Sequence, residues 1–422
     1  MHEPAAQPRS APDRTPQPMT QPAALESLAG WLSRRLAADG GSDVRILDLS
    51  APDAGYSGKT LFVTASWTAA DGTERTRELV FRVQVADQQL FVAPDALRQA
   101  RVMSALVGQP GVPVPKIRFT ETDPQVLGAP FYVMDRVRGQ VPGDVPSWHR
   151  KGWTVDLPPA ARTRLHDNAL TALVALHHVD WRPTLSFLDP TPPPTPSPPA
   201  TPAPPATPSP AGATSGTPTS YPPATTSAAA TTSAAAAPSA AATALDCYLT
   251  QLSRWYEWCA PSRRFGPEIL AAGLQHVLDH RPDDPAETIV WGDARVGNMC
   301  FAGDQSVAAL FDWESATIGP PGIDLGWWLM FERYLCEAQG LRRLDGVPDR
   351  DQTIARYREL GGAAIDDIDY YELLAAVVMT LITSRLADVL VDTGRVTPDI
   401  AAIYPTRAVG LVAESLARLS PR

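Results

Sequence analysis

The most restrictive feature of this sequence is a short apolar hairpin pattern flanked by acidic and amide side chains. Two apolar runs, Met299–Phe301 and Val307–Phe311, stand on either side of a Gly-Asp pair. This pattern predicts two antiparallel strands joined by a tight turn. Asp293 and Asn298 precede the first strand, and Asp312 follows the second. Because these positions lie at the end of the hairpin opposite the turn, we expect the three side chains to converge.

The spacing of the three residues is typical of phosphoryl transfer. In protein-kinase catalytic loops, the aspartate that accepts the proton of the attacking hydroxyl precedes an asparagine by five positions, and a later aspartate completes the magnesium ligands. Asp293, Asn298 and Asp312 have this order and spacing. Magnesium prefers few carboxylates together with phosphate oxygens, which fits one asparagine and one aspartate. A Gly-Asp turn followed by an asparagine is also common without any function, so the sequence beyond the hairpin has to decide.

The sequence beyond the hairpin carries a resemblance to a known family. Asp312 is followed by Trp-Glu, and residues 318–328 read I-G-P-P-G-I-D-L-G-W-W. Together with the G-D-x-x-x-x-N pattern, these motifs resemble the aminoglycoside phosphotransferase family, kinase-like enzymes that phosphorylate small molecules. The usual loop of that family reads H-G-D-x-x-x-x-N, and Trp291 stands here in place of the histidine. Tryptophan cannot accept the hydrogen bonds of a histidine, so another group must support Asp293.

The resemblance implies an α+β, two-lobed protein-kinase-like fold with a small β-sheet N-lobe and a mostly helical C-lobe. Nucleotide would bind between the lobes, and the γ-phosphoryl group of ATP, with GTP as the alternative, would move to a hydroxyl of a small molecule. Asp293 would be the base, and Asn298 and Asp312 would hold Mg²⁺. Arg295 matches a cationic position of kinase catalytic loops and would neutralise charge on the transferred group. The alternative for Arg295 is a loop arginine bonded to backbone carbonyls.

Apolar periodicity predicts the elements of the N-lobe. The expected helices are Ala23–Ala38 and Asp95–Val107, and the expected strands are Val44–Leu49, Leu61–Trp67, Arg77–Val85, Lys116–Thr120 and Ala129–Val137. The last strand resembles the hinge between lobes, where backbone groups of Asp135 and Val137 would pair with adenine.

A glycine-bearing loop between the first two strands can cover nucleotide phosphates with its backbone N–H groups. Its candidate nucleotide-binding residues are Gly55, Ser57, Gly58 and Lys59. A plain hairpin turn is the alternative, because the loop is shorter than a P-loop and leads into a strand.

Arg82 occupies the position where the third strand of kinase-like folds carries a lysine for the nucleotide phosphates. The following helix has Gln99 where the partner glutamate is expected. Arginine binds phosphate through its planar fork, but glutamine cannot form an ion pair with it. An arginine at this position also occurs in the branch that resembles the kinase domain of acyl-CoA-dehydrogenase-associated proteins. A solvent-facing arginine on an edge strand is the alternative.

Composition divides the rest of the chain. Every residue of Pro190–Ala244 except Tyr221 is Pro, Ala, Ser, Thr or Gly, so this segment cannot bury enough apolar surface to offset its conformational entropy. The predicted organisation is a disordered tail (1–22), an N-lobe (23–139), a C-lobe (140–189 and 245–422) and a disordered insertion (190–244). A tether that docks on proline-binding modules is the alternative for the insertion.

Helical periodicity predicts the elements of the C-lobe. The expected helices are Leu165–His178, a helix resuming at Leu245, Phe265–His280, Leu325–Gln339, Asp351–Leu360, Tyr370–Thr393 and Pro398–Leu419. We expect Asp324 to open one of these helices and to bond the catalytic-loop backbone. His177 and His178 are expected to be helix-end histidines, because adjacent residues of a helix face different directions.

Charge and cysteine content exclude several partners. A net charge of −10 argues against a nucleic-acid partner, which would need a basic face. The four cysteines show neither a C-x-x-C pair nor zinc-ligand spacing, which favours free thiols and a cytoplasmic location. No uninterrupted apolar run reaches about 18 residues, so we expect no membrane contact. The N-terminal residues lack the apolar core of a signal peptide.

The acceptor is predicted from charge. The acidic run at 366–372 would suit a polycationic aminoglycoside, but Asp369 and Glu372 also fit a helix-start capping box. Cations that suit an anionic substrate are Arg333, Arg342 and Arg343. Apolar area is supplied by an aromatic group, of which about half is expected in the core: Trp327, Trp328, Phe331 and Tyr334.

The predicted acceptor is therefore a hydroxylated acid, an acyl thioester or a similar metabolite. Two alternatives stay open. One is an aminoglycoside O-phosphotransferase. The other is a nucleotide-binding pseudokinase with a regulatory role, favoured by Arg82, Gln99 and Trp291, and opposed by the complete set of Asp293, Asn298 and Asp312, because an inactive site has no need of all three.

Overall fold

The structure, a computed structural model, describes residues 22–51, 58–84, 90–190 and 242–420. The elements below belong to one unit, formed by the segments that end at Pro190 and begin again at Ala244. Gly55 and Ser57 lie outside the described residues, as do the predicted tail up to residue 21 and residues 191–241 of the predicted insertion.

The N-lobe is a five-stranded antiparallel sheet with two helices. Its elements are α1 (Pro22–Ala37), β1 (Ser42–Ser50), β2 (Gly58–Thr68), β3 (Glu74–Gln84), α2 (Ala96–Leu106), β4 (Ile117–Glu121) and β5 (Phe131–Asp135). The strands follow the order β1-β2-β3-β5-β4. All of the predicted helices and strands are present, and their ends differ from the predicted ends by a few residues at most.

Strand alternation explains which side chains face the C-lobe. In β3, Leu79, Phe81 and Val83 belong to the core that α1 covers, whereas Val80 belongs to the core shared with the C-lobe. Because successive side chains of a strand point to opposite faces, Arg82 lies on the same face as Val80. The alternative of a solvent-facing arginine on an edge strand is wrong, since β3 is the middle strand of the sheet.

The C-lobe is mostly helical, with two short strand pairs. In chain order its elements are α3 (Trp153–Asp156), α4 (Pro159–His177), α5 (Arg182–Leu185), α6 (Ala244–Trp258), α7 (Pro267–Asp279), β6 (Thr288–Val290), β7 (Met299–Phe301), β8 (Val307–Leu310), β9 (Thr317–Gly319), α8 (Gly322–Leu335), α9 (Arg350–Glu359), α10 (Ile368–Asp392) and α11 (Pro398–Leu419). The predicted hairpin is the antiparallel pair β7–β8. The pair β6–β9 was not predicted, because strands of three residues are too short to show alternation.

One described helix, α10, is long and apolar enough to cross a membrane by length and composition alone. However, 72% of its most apolar window is buried inside the protein, where it packs against α8 and α11. A helix that is apolar on all sides is typical of the centre of a large core. Its burial therefore fits a core helix.

The cysteines have the state expected from the sequence. All four are free thiols; Cys259, Cys300 and Cys336 are buried, and Cys247 is partly buried. Burial raises the pKa of Cys259 and of Cys336 to about 12, which keeps both thiols protonated and unreactive near neutral pH.

Glu121, at the end of β4, joins α1 to the sheet. Its carboxylate accepts hydrogen bonds from Trp31 Nε1 at 2.7 Å and from the Arg35 guanidinium at 2.7 Å. The Trp31 bond, the backbone N–H of Asp123 and Arg35 together lower the pKa of Glu121 to about 2.

This lowered pKa predicts an acid-sensitive N-lobe. The folded-state pKa lies below the unfolded one, so Glu121 stabilises the fold above about pH 4.5, and this contribution is lost as pH falls toward the folded-state pKa. We expect the melting temperature of the wild type to fall more steeply with acidification than that of Glu121→Gln, as followed by circular dichroism. The exposed Glu26 supplies the control, because Glu26→Gln should keep the wild-type slope. Equal slopes in all three proteins would contradict the prediction.

Candidate active site

The site is built on the loop that follows β6. Gly292 has a φ of +85°, and a Cβ added there would lie 2.5 Å from the backbone oxygen of Ser315. Only glycine allows the loop to pass this close to the segment after β8. Asp293 follows immediately, so the tight passage sets the position of its side chain.

The Asp293 carboxylate is held by three donors. Its Oδ1 accepts hydrogen bonds from Arg295 Nε at 2.9 Å and from Trp327 Nε1 at 2.8 Å. Its Oδ2 accepts a hydrogen bond from Asn298 Nδ2 at 2.6 Å. A carboxylate offers about four acceptor positions, so one position stays available for a substrate hydroxyl. The support missing at Trp291 is thus supplied by Trp327, Arg295 and Asn298.

Trp291 instead supports the aspartate at the end of the hairpin. Its fully buried indole donates from Nε1 to the backbone oxygens of Phe311, at 2.9 Å, and Asp312, at 3.0 Å. The ring also packs against Trp313, with centroids 5.4 Å apart. The residue that replaces the family histidine therefore fixes the backbone on both sides of the Phe311–Asp312 peptide.

Asp312 has the properties expected of a cation ligand. Its backbone has a φ of +58°, and its Oδ1 is buried without a hydrogen-bond partner in the described part of the chain. Burial raises the pKa of Asp312, with Asp293 adding to the rise and Arg82 opposing it. A buried carboxylate oxygen without a partner is costly, so a bound cation would stabilise it.

The asparagine of the motif has a matching orientation. Asn298 Nδ2 donates to both the backbone and the side chain of Asp293, which leaves the amide oxygen to contact a cation. Within the described ranges, no group of three or more His, Cys, Asp or Glu side chains is arranged to hold a metal. A cation here would therefore depend on Asn298, Asp312 and oxygens of a phosphate ligand, as magnesium does in nucleotide sites.

Asp324 holds the start of the catalytic loop through backbone hydrogen bonds. Its carboxylate accepts the backbone N–H of Trp291 at 2.7 Å and that of Gly292 at 2.8 Å, so the predicted contact with the catalytic loop is confirmed. His177 Nε2 lies 3.1 Å from the same carboxylate, and His177 Nδ1 lies 2.7 Å from the Tyr357 hydroxyl. His177 does end α4, but its contacts with two other helices could not be foreseen from a helix-end position.

Arg82 points into the cleft from the sheet. Its Nη1 donates to Thr60 Oγ1 at 2.9 Å. Burial disfavours its charge, but Tyr132 and Asp312 more than offset this effect and raise the pKa of Arg82. The Tyr132 hydroxyl lies 3.5 Å from Oε1 of the buried Gln99. Tyr132 thus stands between Arg82 and Gln99, in place of the ion pair of other kinase-like folds.

Arg295 is enclosed by two carboxylates. Its Nε binds Asp293, and its Nη1 is bonded to Asp144 in the segment that follows β5. The guanidinium also lies over the Phe331 ring, 4.8 Å from its centroid. The alternative of a loop arginine bonded to backbone carbonyls does not fit these contacts, because the partners are side chains. Asp144 was not predicted, because an isolated aspartate in a Pro-Gly-rich loop carries no local signal.

Comparisons with known proteins agree with this geometry. The model of a family described as "Phosphotransferase enzyme family" matches residues 48–360, which include every residue of the catalytic loop and hairpin. The chain belongs to this family. It is therefore a phosphotransferase with a kinase-like fold.

One sequence relative and two solved structures are similar to the chain. Acyl-CoA dehydrogenase family member 10 from Mus musculus is 24% identical over 312 residues, which cover 70% of this chain and only 23% of that protein. A candidate aminoglycoside phosphotransferase from Ralstonia eutropha has a TM-score of 0.59 at 19% identity, covering 94% of this chain and 99% of that one. APH(4)-Ia in complex with ADP and hygromycin B has a TM-score of 0.51 at 13% identity, covering 92% and 98%. At these identities the two structures show a shared fold.

The phosphate-loop candidates of the phosphotransferase are only partly described. Gly58 begins β2 opposite Gln84, and the side chain of Lys59 is exposed. Lys59 does not line the cavity next to the catalytic loop, whereas Arg82 does. Of the two cations considered for the phosphates, Arg82 is therefore the one that faces the site.

The hinge candidates have unequal freedom. The backbone N–H of Asp135 donates to the Lys116 oxygen at 3.0 Å, and its carboxylate binds Arg118 Nε at 2.7 Å. This N–H is therefore occupied within the sheet and not free for adenine. Val137 lies beyond the end of β5, and its predicted contact with adenine stays a prediction.

A cavity of about 1690 Å³ opens from the catalytic loop toward α6, α8, α10 and α11. The part of the lining that these four helices supply is mainly apolar, with residues that include Phe331, Leu335, Val378, Met379, Ile382 and Ile403. It also contains two arginines, Arg254 of α6 and Arg407 of α11. Among the described lining residues of these four helices, none is acidic. The helical part of the lining thus offers apolar surface and positive charge.

The acidic run at 366–372 does not line the cavity. Glu372 is buried and accepts from Arg350 Nε at 2.6 Å, and Asp369 accepts from Arg350 Nη2 at 2.7 Å. The expected capping box between Asp369 and Glu372 is wrong, because α10 begins at Ile368 and both carboxylates form ion pairs with other helices. The run is a structural ion-pair network.

The three arginines expected near the acceptor also have ion-pair partners outside the cavity. Arg333, Arg342 and Arg343 form ion pairs with Glu414, Asp345 and Glu337. None of the three lines the cavity. The aromatic group does not divide into halves as expected: all four residues belong to the buried core, and Trp327, Phe331 and Tyr334 also line the cavity.

The contacts of Trp291 lead to a testable expectation. Trp291→Phe keeps an aromatic ring but removes the N–H that the partly buried backbone oxygens of Phe311 and Asp312 share. We expect a loss of about 1–3 kcal/mol in the free energy of unfolding. We also expect weaker magnesium-dependent binding of ADP by calorimetry, because Asp312 is less well fixed.

Trp328→Phe is the matched control. Trp328 is equally buried, but its Nε1 has no hydrogen-bond partner among the described residues. This variant should lose packing energy and keep the magnesium dependence of ADP binding. The interpretation fails if both variants bind ADP and magnesium as the wild type does.

Proposed function

We propose that this phosphotransferase moves the γ-phosphoryl group of ATP to a hydroxyl of a small molecule, with a hydroxylated acid or an acyl thioester as the acceptor class. The observation that carries the proposal is the convergence of Asp293, Asn298 and Asp312 beside a large cavity. The proposal keeps the predicted organisation, with nucleotide between residues 23–139 and the C-lobe formed by 140–189 and 245–422. A cytoplasmic location is part of it, in line with the free thiols.

Asp293 is the base in this proposal. The acceptor hydroxyl gives its proton to the free acceptor position of the Asp293 carboxylate, and the hydroxyl oxygen forms a bond to the γ-phosphorus. The bond between the γ-phosphorus and the β–γ bridging oxygen breaks, and ADP leaves with the electron pair. Asp293 then releases the proton to solvent. The three donors on Asp293 hold the carboxylate in one orientation for this transfer.

Asn298 and Asp312 would hold magnesium. The orphaned Oδ1 of Asp312 and the orientation of the Asn298 amide support this assignment. Bound magnesium neutralises charge on the nucleotide phosphates. Arg82, beside Asp312, would bind the same phosphates through its fork. GTP remains the alternative donor, since the base contact proposed at Val137 is a backbone contact.

Three departures from the family pattern favoured a pseudokinase, and each has a structural partner. Arg82 faces the cleft, Gln99 lies next to Tyr132, and Trp291 supports Asp312. These contacts support an active site in which other residues stand in place of the usual ones. They weaken the regulatory alternative.

The charge of the helical part of the lining supports the proposed acceptor class. A polycationic aminoglycoside would meet Arg254 of α6 and Arg407 of α11, and none of the described lining residues of α6, α8, α10 and α11 is a carboxylate that would offset them. An acceptor with an aliphatic body and an anionic group matches both the apolar surface and the arginines. The mouse relative is named for acyl-CoA dehydrogenation, which also favours acyl groups, whereas hygromycin B in the APH(4)-Ia complex favours the aminoglycoside alternative.

Two carboxylate variants separate chemistry from binding. We expect Asp293→Ala to lower kcat by about 10²–10⁴-fold, the usual contribution of a general base, with ADP affinity nearly unchanged. Asp312→Asn should weaken magnesium-dependent ADP binding itself, because it removes a charge from the proposed cation site. Turnover assays measure the change in kcat, and calorimetric titrations measure the change in ADP affinity. Wild-type turnover in Asp293→Ala would exclude it as the base.

An acceptor screen tests the substrate class. ADP release is measured with hydroxylated fatty acids, their coenzyme A thioesters and kanamycin. We expect the acyl compounds to exceed kanamycin in kcat/KM by about 100-fold or more, because placing like charges next to each other costs several kcal/mol. Arg407→Gln should raise KM for the anionic acceptors alone. Efficient phosphorylation of kanamycin, with kcat/KM of about 10⁴ M⁻¹s⁻¹ or more, would establish the aminoglycoside alternative.

A further inference from the structure

Arg295 is placed between two carboxylates of different elements. Its Nε bonds Asp293 of the catalytic loop at 2.9 Å, and its Nη1 bonds Asp144 from the segment after the sheet. Only 15% of the Arg295 side chain is exposed, and the Phe331 ring covers the guanidinium. The arginine therefore faces two acids and an aromatic ring, and its donors on these sides are not free for a phosphate group.

The charges of the three groups depend on each other. Burial lowers the pKa of Arg295, but Asp293 and Asp144 outweigh it and raise that pKa. Burial raises the pKa of Asp144, and Arg295 opposes this rise. In a poorly solvated site each charge is stable only with its partner. With all three groups ionised, the cluster carries one net negative charge, the same as an isolated Asp293 carboxylate.

We propose that Asp144 is a positioning residue for phosphoryl transfer: it neutralises Arg295, so that the arginine orients Asp293 without cancelling its negative charge. The inference rests on the proposed role of Asp293 as the base. It changes the role expected for Arg295, which becomes a support of the base and not a neutraliser of the transferred phosphoryl group.

The space around the ion pair supports this arrangement. A Cβ added at Gly297 would lie 2.5 Å from Asp144 Oδ1, and it would also overlap the Arg295 guanidinium. The backbone of Gly297 is not in the left-handed region, so another residue would fit its dihedral angles. The glycine is thus required by the room that Asp144 and Arg295 occupy, and not by the turn.

The two outer residues can be tested by charge restoration. Asp144→Asn leaves a neutral cluster, in which the charge of Arg295 cancels that of Asp293, and Arg295→Gln leaves two unpaired carboxylates. The double variant returns to one net negative charge. We expect Asp144→Asn to lower kcat by about 10–100-fold, part of the contribution of a general base, and the double variant to recover about tenfold of this loss.

Turnover is measured with the best acceptor of the screen and with water, as ATP hydrolysis. The KM for ATP and the calorimetric affinity for ADP with magnesium should stay within about twofold of wild type, because the nucleotide contacts are intact. Asp144→Glu keeps the charge and should retain more activity than Asp144→Asn. Asp156→Asn, which removes an exposed acid from α3, is the matched control and should have wild-type kcat.

Each outcome has one meaning. A double variant as slow as Asp144→Asn, or slower, overturns the inference, and so do equal losses in Asp144→Glu and Asp144→Asn. Raised KM for ATP with unchanged kcat also overturns it, because Asp144 would then act on nucleotide binding. A wild-type protein without turnover on any acceptor or on water contradicts the proposed function and the inference together. If the wild type turns over and the losses of kcat in Asp144→Asn and Arg295→Gln simply add up in the double variant, the inference alone is contradicted.

Discussion

The catalytic geometry depends on one buried carboxylate and two backbone N–H groups. Asp324 is fully buried and accepts hydrogen bonds from the backbones of Trp291 and Gly292. Hydrogen bonds to a charged group are strong in a poorly solvated interior, and a lost partner there is costly. These hydrogen bonds fix the start of the loop. They therefore also fix the position of the Trp291 indole, which reaches Asp312, and of the Asp293 carboxylate.

The parts of the site that follow from local pattern could be predicted from the sequence. The hairpin pattern of two apolar runs around a Gly-Asp turn places Asp293, Asn298 and Asp312 together, and the structure has this arrangement. Strand alternation correctly predicted the face of β3 on which Arg82 lies. The position of Asp324 at the start of a helix predicted its bonds to the catalytic-loop backbone. In each case the information lies within about one element, where periodicity of 2 or 3.6 residues determines direction.

The remaining parts come from contacts between distant segments, which periodicity does not encode. Asp144 contacts Arg295 of the catalytic loop, and His177 contacts Asp324, which holds that loop; in both pairs the partners are more than a hundred positions apart in the chain. The acidic run looked available for a cationic acceptor, because Arg350, its partner on another helix, could not be assigned from spacing. Likewise, Arg254 and Arg407, which line the cavity, gave no sequence signal that distinguished them from the paired arginines.

The bond from Trp291 to two carbonyls has a consequence for the conformations that this enzyme can populate. In order to turn Asp312 away from the cleft, the chain would have to break a partly buried hydrogen bond from the Trp291 indole that the backbone oxygens of Phe311 and Asp312 share. Each 1.4 kcal/mol of such a loss reduces the population of the turned-out state by about tenfold. Inhibitors that select an aspartate-out state would therefore pay this cost on binding. Compounds that fill the apolar cavity beside the active conformation have no such penalty.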